Sequence, residues 1–237
     1  MNNYRAGIDI GSTTIKLTVL DEDGKILYGE YRRHCAEIQP TLCALLEEAR
    51  AQVGACTLKV KITGSGSINL GKSLGIGFVQ EVVAVASALQ NAAPQTDVAI
   101  ELGGEDAKII YFTGGLEERM NGICAGGTGA FIDQMASLLQ TDAAGLNEAA
   151  AHYQQIYPIA ARCGVFAKTD VQNLMSRGIP VADICASVFH SIAVQTITTL
   201  AHGQAIEPPI LLCGGPLTFL PALCNYLIKI SIAVRRN

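Results

Sequence analysis

The sequence predicts an α/β fold built on a duplication, and three observations predict it. Strand patterns alternate with helix patterns along most of the chain. A cycle of strand, acidic glycine turn, strand, turn and strand occurs twice, and no linker or low-complexity segment interrupts it. In the first cycle, residues 6–10 are apolar, residues 15–20 alternate, and Asp21-Glu22-Asp23-Gly24 is a hairpin turn before a strand at 26–31. Leu42, Leu45, Leu46 and Ala49 recur at helical spacing and predict a helix over 38–53. A strand at 58–63 runs into the loop Gly64-Ser65-Gly66, and a helix at 80–92 is stopped by Pro94. The second cycle has strands at 98–102, 107–112 and 116–120, turned by Gly103-Gly104-Glu105-Asp106 and by Gly114-Gly115. Beyond Gly126 the pattern becomes helical, near 128–139, 146–153, 165–176 and 182–203. A buried-type strand at 208–213 ends in Gly214-Gly215-Pro216, and a last helix begins near Phe219.

Composition narrows the function. The chain has 237 residues, 49% hydrophobic and only 16% charged, which implies apolar surface covered by another chain. With a net charge of −4, no nucleic acid or anionic membrane is expected as a partner. No basic stretch followed by an apolar core opens the sequence, and the apolar run at 222–234 is broken by Asn225 and Lys229. A cytoplasmic protein is expected. In that compartment eight cysteines point to metal binding or plain burial rather than disulfides, and no Cys-x-x-Cys pair offers a self-contained zinc site. The four histidines pair with no acidic, Ser or Cys partner at a recognisable spacing, so surface or helix positions are expected for them.

Three glycine-bearing turns carry the chemistry. Asp9-Ile10-Gly11-Ser12-Thr13-Thr14-Ile15-Lys16 lies between two strands, where small residues let backbone N–H groups and hydroxyls approach phosphate. An Asp at a strand end suits Mg²⁺, which takes one or two carboxylates besides water and phosphate oxygens. Glu101-Leu102-Gly103-Gly104-Glu105-Asp106 holds the same place in the second cycle, and Cys213-Gly214-Gly215-Pro216 joins a strand to a helix start. Neither a P-loop nor a dinucleotide fingerprint occurs, so the phosphate machinery is of another type.

These turns resemble the two phosphate loops and the adenosine loop of the acetate and sugar kinase, heat-shock chaperone and actin superfamily. Met120-Asn121-Gly122-Ile123-Cys124-Ala125-Gly126-Gly127-Thr128-Gly129 and Arg162-Cys163-Gly164-Val165-Phe166-Ala167-Lys168-Thr169-Asp170-Val171 are more specific. They resemble the ATP-dependent activators of 2-hydroxyacyl-CoA dehydratases, relatives of the ATPase subunits of benzoyl-CoA reductase. The likeness runs from Arg5 to about Leu223 and is nearest the N-terminal unit of the long multi-domain activators. It implies an actin-like ATPase fold of two ribonuclease H-like lobes, each a mixed sheet with flanking helices. Lobe I would be 1–94, with the first phosphate loop; lobe II would be 95–237, with the rest and a truncated C-terminal helix.

The resemblance also implies roles. Asp9 would hold Mg²⁺, and Gly11, Ser12, Thr13 and Thr14 would cradle phosphate. Lys16, on the face of Thr14, would reach phosphate or remain an exposed strand lysine. Gly103 and Gly104 would form the second phosphate turn, with Glu105 or Asp106 orienting the attacking water. Gly126, Gly127, Thr128 and Gly129 would touch the nucleotide or transmit its state, and Gly214, Gly215 and Pro216 would face the adenosine. Cys124 and Cys163 each precede a predicted helix start, whose N–H groups favour thiolate. On local sequence alone they fit ligation or burial equally; the resemblance implies ligation. A cubane cluster needs about four thiolates, so two chains across a two-fold axis would share one [4Fe-4S] cluster. Cys35, Cys43, Cys56, Cys185, Cys213 and Cys224 are expected to be buried as small hydrophobes. A ferredoxin or flavodoxin would supply the electron, and an iron–sulfur acyl-CoA dehydratase or reductase would receive it.

Two departures stand out. The small activators carry Asp-Ile-Gly-Gly-Gln-Asp where this chain has residues 101–106, so Glu105 puts a charge where they have an amide. The tail after Ile230 does not look like the family. Two other readings remain on sequence grounds: a small-molecule kinase of the same superfamily, and a non-catalytic nucleotide-sensing scaffold.

Overall fold

The computed structural model describes residues 2–121, 126–160 and 163–234. They form two compact units, Met1–Pro94 and Gln95–Asn237.

In the first unit the strands are β1 (Asn2–Ile10), β2 (Thr14–Leu20), β3 (Ile26–Arg33), β4 (Cys56–Thr63) and the short β5 (Gly77–Phe78). The helices are α1 (Ile38–Val53), α2 (Ile68–Leu74) and α3 (Glu81–Ala92). The sheet runs β3-β2-β1-β4-β5: β1, β2 and β3 are antiparallel, while β4 lies parallel to β1 and β5 parallel to β4. Alternation decides the faces. Ile8, Ile10, Ile15, Leu17 and Val19 are buried in a core that includes Leu42, Leu45 and Ala49 of α1. The intervening Asp9 and Lys16 therefore share the opposite face. Each fully buried Ile or Leu contributes about 1.5–3 kcal/mol, which fixes the register that brings Asp9 and Lys16 opposite one another.

The second unit repeats the plan with β6 (Val98–Leu102), β7 (Ala107–Tyr111), β8 (Glu117–Met120) and β9 (Ile210–Cys213) in the order β8-β7-β6-β9. Again the first three are antiparallel and the last is parallel to the first of them. Its helices are α4 (Gly129–Leu138), α5 (Ala143–Ala150), α6 (Gly164–Ser176), α7 (Val181–Gln195), α8 (Gly215–Phe219) and α9 (Pro221–Val234), and a π turn over Thr196–Leu200 continues α7. α7 is buried almost all round. Two of its polar residues are satisfied inside: Asp183 accepts the Gln154 and Gln155 N–H groups, and Ser187 accepts that of Tyr157. Among the described residues Val181–Leu200 is the one helix long and apolar enough to cross a membrane, and 72% of its most apolar stretch is buried inside the protein.

Local chemistry accounts for the departures from the pattern. Asp142 caps α5 by accepting the Gly145 N–H at 2.8 Å, so this helix starts and ends three residues before the expected 146–153. α2 carries no readable period because it is short and has Gly71 inside it. That glycine lies under Ile62, where a β-carbon would sit 3.0 Å from Ile62 Cγ2.

Candidate nucleotide and cluster site

In the first unit three side chains form a row across the sheet. Lys16 of β2 pairs in register with Asp9 of β1, which pairs with Thr63 of β4. Lys16 Nζ donates to Asp9 Oδ2 at 2.8 Å. Asp9 Oδ1 and Thr63 Oγ1 are buried and meet no hydrogen-bond partner among the described residues. Just beyond, the turn is closed by the Gly11 N–H bonding the Thr14 carbonyl at 3.0 Å. Gly64 follows Thr63 at φ +90, and a β-carbon there would strike Asp9 Oδ1 and the Ile10 carbonyl. The backbone thus packs directly against the carboxylate.

The second unit repeats this arrangement residue for residue. Lys108 of β7, Glu101 of β6 and Cys213 of β9 are in register, with Lys108 Nζ 4.0 Å from Glu101 Oε2. The Gly103 N–H closes its turn on the Asp106 carbonyl at 2.7 Å. Gly214 follows Cys213 at φ +89, and its β-carbon would strike the Leu102 carbonyl. Replacing Gly214 by Ala is accordingly expected to cost about 3 kcal/mol of stability, because left-handed backbone and overlap act together. An unfolding free energy from denaturant titration lowered by less than about 1 kcal/mol would contradict this account of the turn.

The glycine bend before α4 is tied to the second turn. The Gly129 N–H bonds the Gly103 carbonyl at 2.9 Å, and that of Ala130 bonds the Gly104 carbonyl at 2.8 Å. These are groups a helix start leaves without internal partners. Gly126, Gly127 and Thr128 are buried, and Gln195, at the end of α7, donates Nε2 to the Gly126 carbonyl at 3.0 Å. Glu105 is exposed and Asp106 half-buried at the tip of the turn; Gly214, Gly215 and Pro216 are half-buried where β9 enters α8.

Cys124 lies outside the described residues. Cys163 is half-buried at the N-cap of α6, and its carbonyl accepts the Ala167 N–H at 2.9 Å. Beside it Val165 and Phe166 are 73% and 66% exposed, an apolar pair on the first turn of the helix. Among the described residues no three His, Cys, Asp or Glu side chains converge on one point.

The other cysteines divide. Cys185 is buried, whereas Cys35 and Cys43 are exposed, against the expectation of burial for all six. Cys35 is in a surface turn, and Cys43 is on the outer face of α1. Burial pushes the Cys185 thiol up to about 11. Burial, with the Glu101 carboxylate adding to it and Lys108 opposing, pushes Cys213 up to about 12. Both stay protonated well above neutrality, so iodoacetamide at pH 8 is expected to label Cys35 and Cys43 and spare Cys185 and Cys213 in the folded protein. Peptide mapping checks it; rapid labelling of Cys213 would refute the environment described.

Sequence reasoning missed several members of the site. Thr63 and Gly64 were legible as the loop after a strand that matches Cys213-Gly214, but only the register shows the match. Glu101 and Lys108 appear as partners only through the row. His34 was expected at the surface or in a helix; it is buried behind the first turn, because its ring finds two backbone partners there.

The residues fit the groups that the sequence implies. A buried carboxylate oxygen without a donor, beside an unsatisfied hydroxyl, suits a hydrated Mg²⁺. A half-buried thiol at a helix N-terminus suits a thiolate ligand. The chain is 28% identical over 219 residues to the 2-hydroxyisocaproyl-CoA dehydratase activator of Clostridioides difficile, covering 90% of this chain and 80% of that one. The structure of component A of the Acidaminococcus fermentans (R)-2-hydroxyglutaryl-CoA dehydratase superposes with a TM-score of 0.85 at 26% identity, covering 95% and 88% of the two chains. The activator of the 2-hydroxyisocaproyl-CoA dehydratase from Clostridium difficile, solved with ADPNP, gives 0.83 at 26% identity, covering 95% and 85%. A family model matches residues 6–230, and with its actin-like fold the chain belongs to the BadF/BadG/BcrA/BcrD ATPase family.

Proposed function

We propose that this ATPase is an activator that couples ATP hydrolysis to delivery of a low-potential electron into an iron–sulfur 2-hydroxyacyl-CoA dehydratase or a related CoA-ester reductase. The observation that carries the reading is the pair of hydrogen bonds from Gly129 and Ala130 to the carbonyls of Gly103 and Gly104. The start of α4, reached through the bend after Cys124, hangs on the second phosphate turn. A change in that turn is passed through these bonds to the start of α4, the helix that follows the bend.

In this reading Asp9 holds Mg²⁺ through its Oδ1 side, and Lys16 keeps the other carboxylate oxygen occupied. Gly11, Ser12, Thr13 and Thr14, and Gly103 and Gly104, cradle phosphate; the Gly11 and Gly103 N–H groups close the two turns, and the N–H groups and hydroxyls beyond them face the ligand. Glu105 or Asp106 orients water, and Gly214, Gly215 and Pro216 meet the adenosine. Cys124 and Cys163 of each of two chains hold one [4Fe-4S] cluster, which supplies a one-electron carrier when bound. The exposed Val165 and Phe166 flank that ligand and suit a face closed by the twin chain. The donor is a ferredoxin or flavodoxin, and the setting is cytoplasmic. The test is ATP turnover with no sugar or carboxylate present: the activator releases ADP and free phosphate, whereas a kinase needs an acceptor and a sensing scaffold turns nothing over.

A further inference from the structure

His34 follows β3, the edge strand of the first unit's sheet, and is 5% exposed. Its backbone N–H bonds the Thr13 carbonyl at 3.1 Å, and its ring Nε2 lies 3.1 Å from the Gly11 carbonyl. Nδ1 accepts the Ala36 N–H at 3.1 Å, so the ring proton sits on Nε2 and is donated to Gly11. One residue therefore grips both ends of the segment Gly11-Ser12-Thr13.

The turn that carries this ring is itself held away from its easy conformation. Cys35 and Ala36 have φ of +46 and +68, a pair of left-handed residues without a glycine, closed by the Glu37 N–H on the His34 carbonyl. Such backbone is strained for residues with a β-carbon and persists where its surroundings over-determine it. Here the fixing contact is the His34 ring, bonded forward to Ala36 and back to Gly11.

We infer that His34 is a positioning residue for the nucleotide: it fixes the Gly11–Thr13 backbone in the shape that offers to phosphate the N–H groups beyond Gly11, whose own N–H closes the turn on Thr14. The inference rests on the ATP reading of this turn. His34 touches no phosphate itself; it acts through the carbonyls of Gly11 and Thr13, leaving the opposite side of those peptides for the ligand.

Three variants test it by steady-state ATP hydrolysis of the full chain and by thermal unfolding without nucleotide. His34→Gln keeps a donor at the reach of Nε2 and is expected to hold KM for MgATP within about twofold of wild type. His34→Asn keeps an acceptor for the Ala36 N–H, as an Asx turn, but falls short of Gly11. It is expected to raise KM about five- to tenfold with kcat changed less than about threefold, at an unfolding midpoint within about 2 °C of wild type. His34→Leu is expected to raise KM at least as far as His34→Asn. Should the Leu variant not fold, the Asn and Gln pair decides. Wild-type KM in His34→Asn, or a KM in His34→Gln as high as in His34→Asn, overturns the inference. A wild-type chain that neither binds nor hydrolyses MgATP overturns the ATP reading itself, before any variant is compared.

Discussion

Replacing Asp9 by Asn is expected to reduce ATP hydrolysis by at least about 100-fold, the usual scale for losing a charge-stabilising group at a reacting phosphate. The substitution keeps the size and one acceptor oxygen but removes the charge that Mg²⁺ requires. The fold should tolerate it. Asp9 sits on the face of the sheet opposite the apolar core, and the Lys16 it leaves unpaired is 36% exposed, so solvent takes up most of that charge. Phosphate release at saturating Mg²⁺, with circular dichroism as the control for folding, measures the effect. Turnover within a few-fold of wild type would remove Asp9 from the metal site.

Cys163→Ser is expected to remove nearly all bound iron and, with it, the dimer. A serine oxygen is a hard donor and replaces a thiolate poorly at an iron–sulfur cluster. The same change makes a better cap for α6, because a serine hydroxyl accepts first-turn N–H groups that Cys163 leaves uncapped. The variant should therefore be as stable as wild type or slightly more so, which separates cluster loss from misfolding. Iron analysis and gel filtration under exclusion of oxygen read both quantities. A Ser variant that keeps iron and stays dimeric would take the ligand role from Cys163.

Much of this architecture is written locally. Strand alternation around Ile8, Ile10, Ile15 and Leu17 and the helical spacing of Leu42, Leu45 and Ala49 set the first sheet and α1, because burial enforces both periods. The two glycine turns were legible because glycine and small polar residues cluster where two antiparallel strands meet. What escaped is non-local. His34 looks like an ordinary strand-end residue until β3 pairs with β2 and places its backbone beside Thr13. Thr63 and Cys213 gain meaning only from the parallel register that sets them next to Asp9 and Glu101. The link from α4 to Gly103 and Gly104 likewise joins segments 26 residues apart through backbone groups alone, which side-chain patterns do not encode.

The residue-level repeat also explains the acidic substitutions in the second turn. Glu101 keeps a carboxylate opposite Lys108, as Asp9 does opposite Lys16, so the charge pattern of the row survives the longer side chain. Glu105 lies at the exposed tip, where an extra charge is cheaply solvated until a nucleotide arrives.

All of the redox role turns on whether one chain brings half of a cluster. Iron and acid-labile sulfide, counted per chain after purification without oxygen, address that directly. The account predicts about two of each per polypeptide in a brown dimer absorbing near 400 nm, the share expected when two chains hold one four-iron cluster. An iron-free, colourless protein obtained under the same exclusion of oxygen would contradict it.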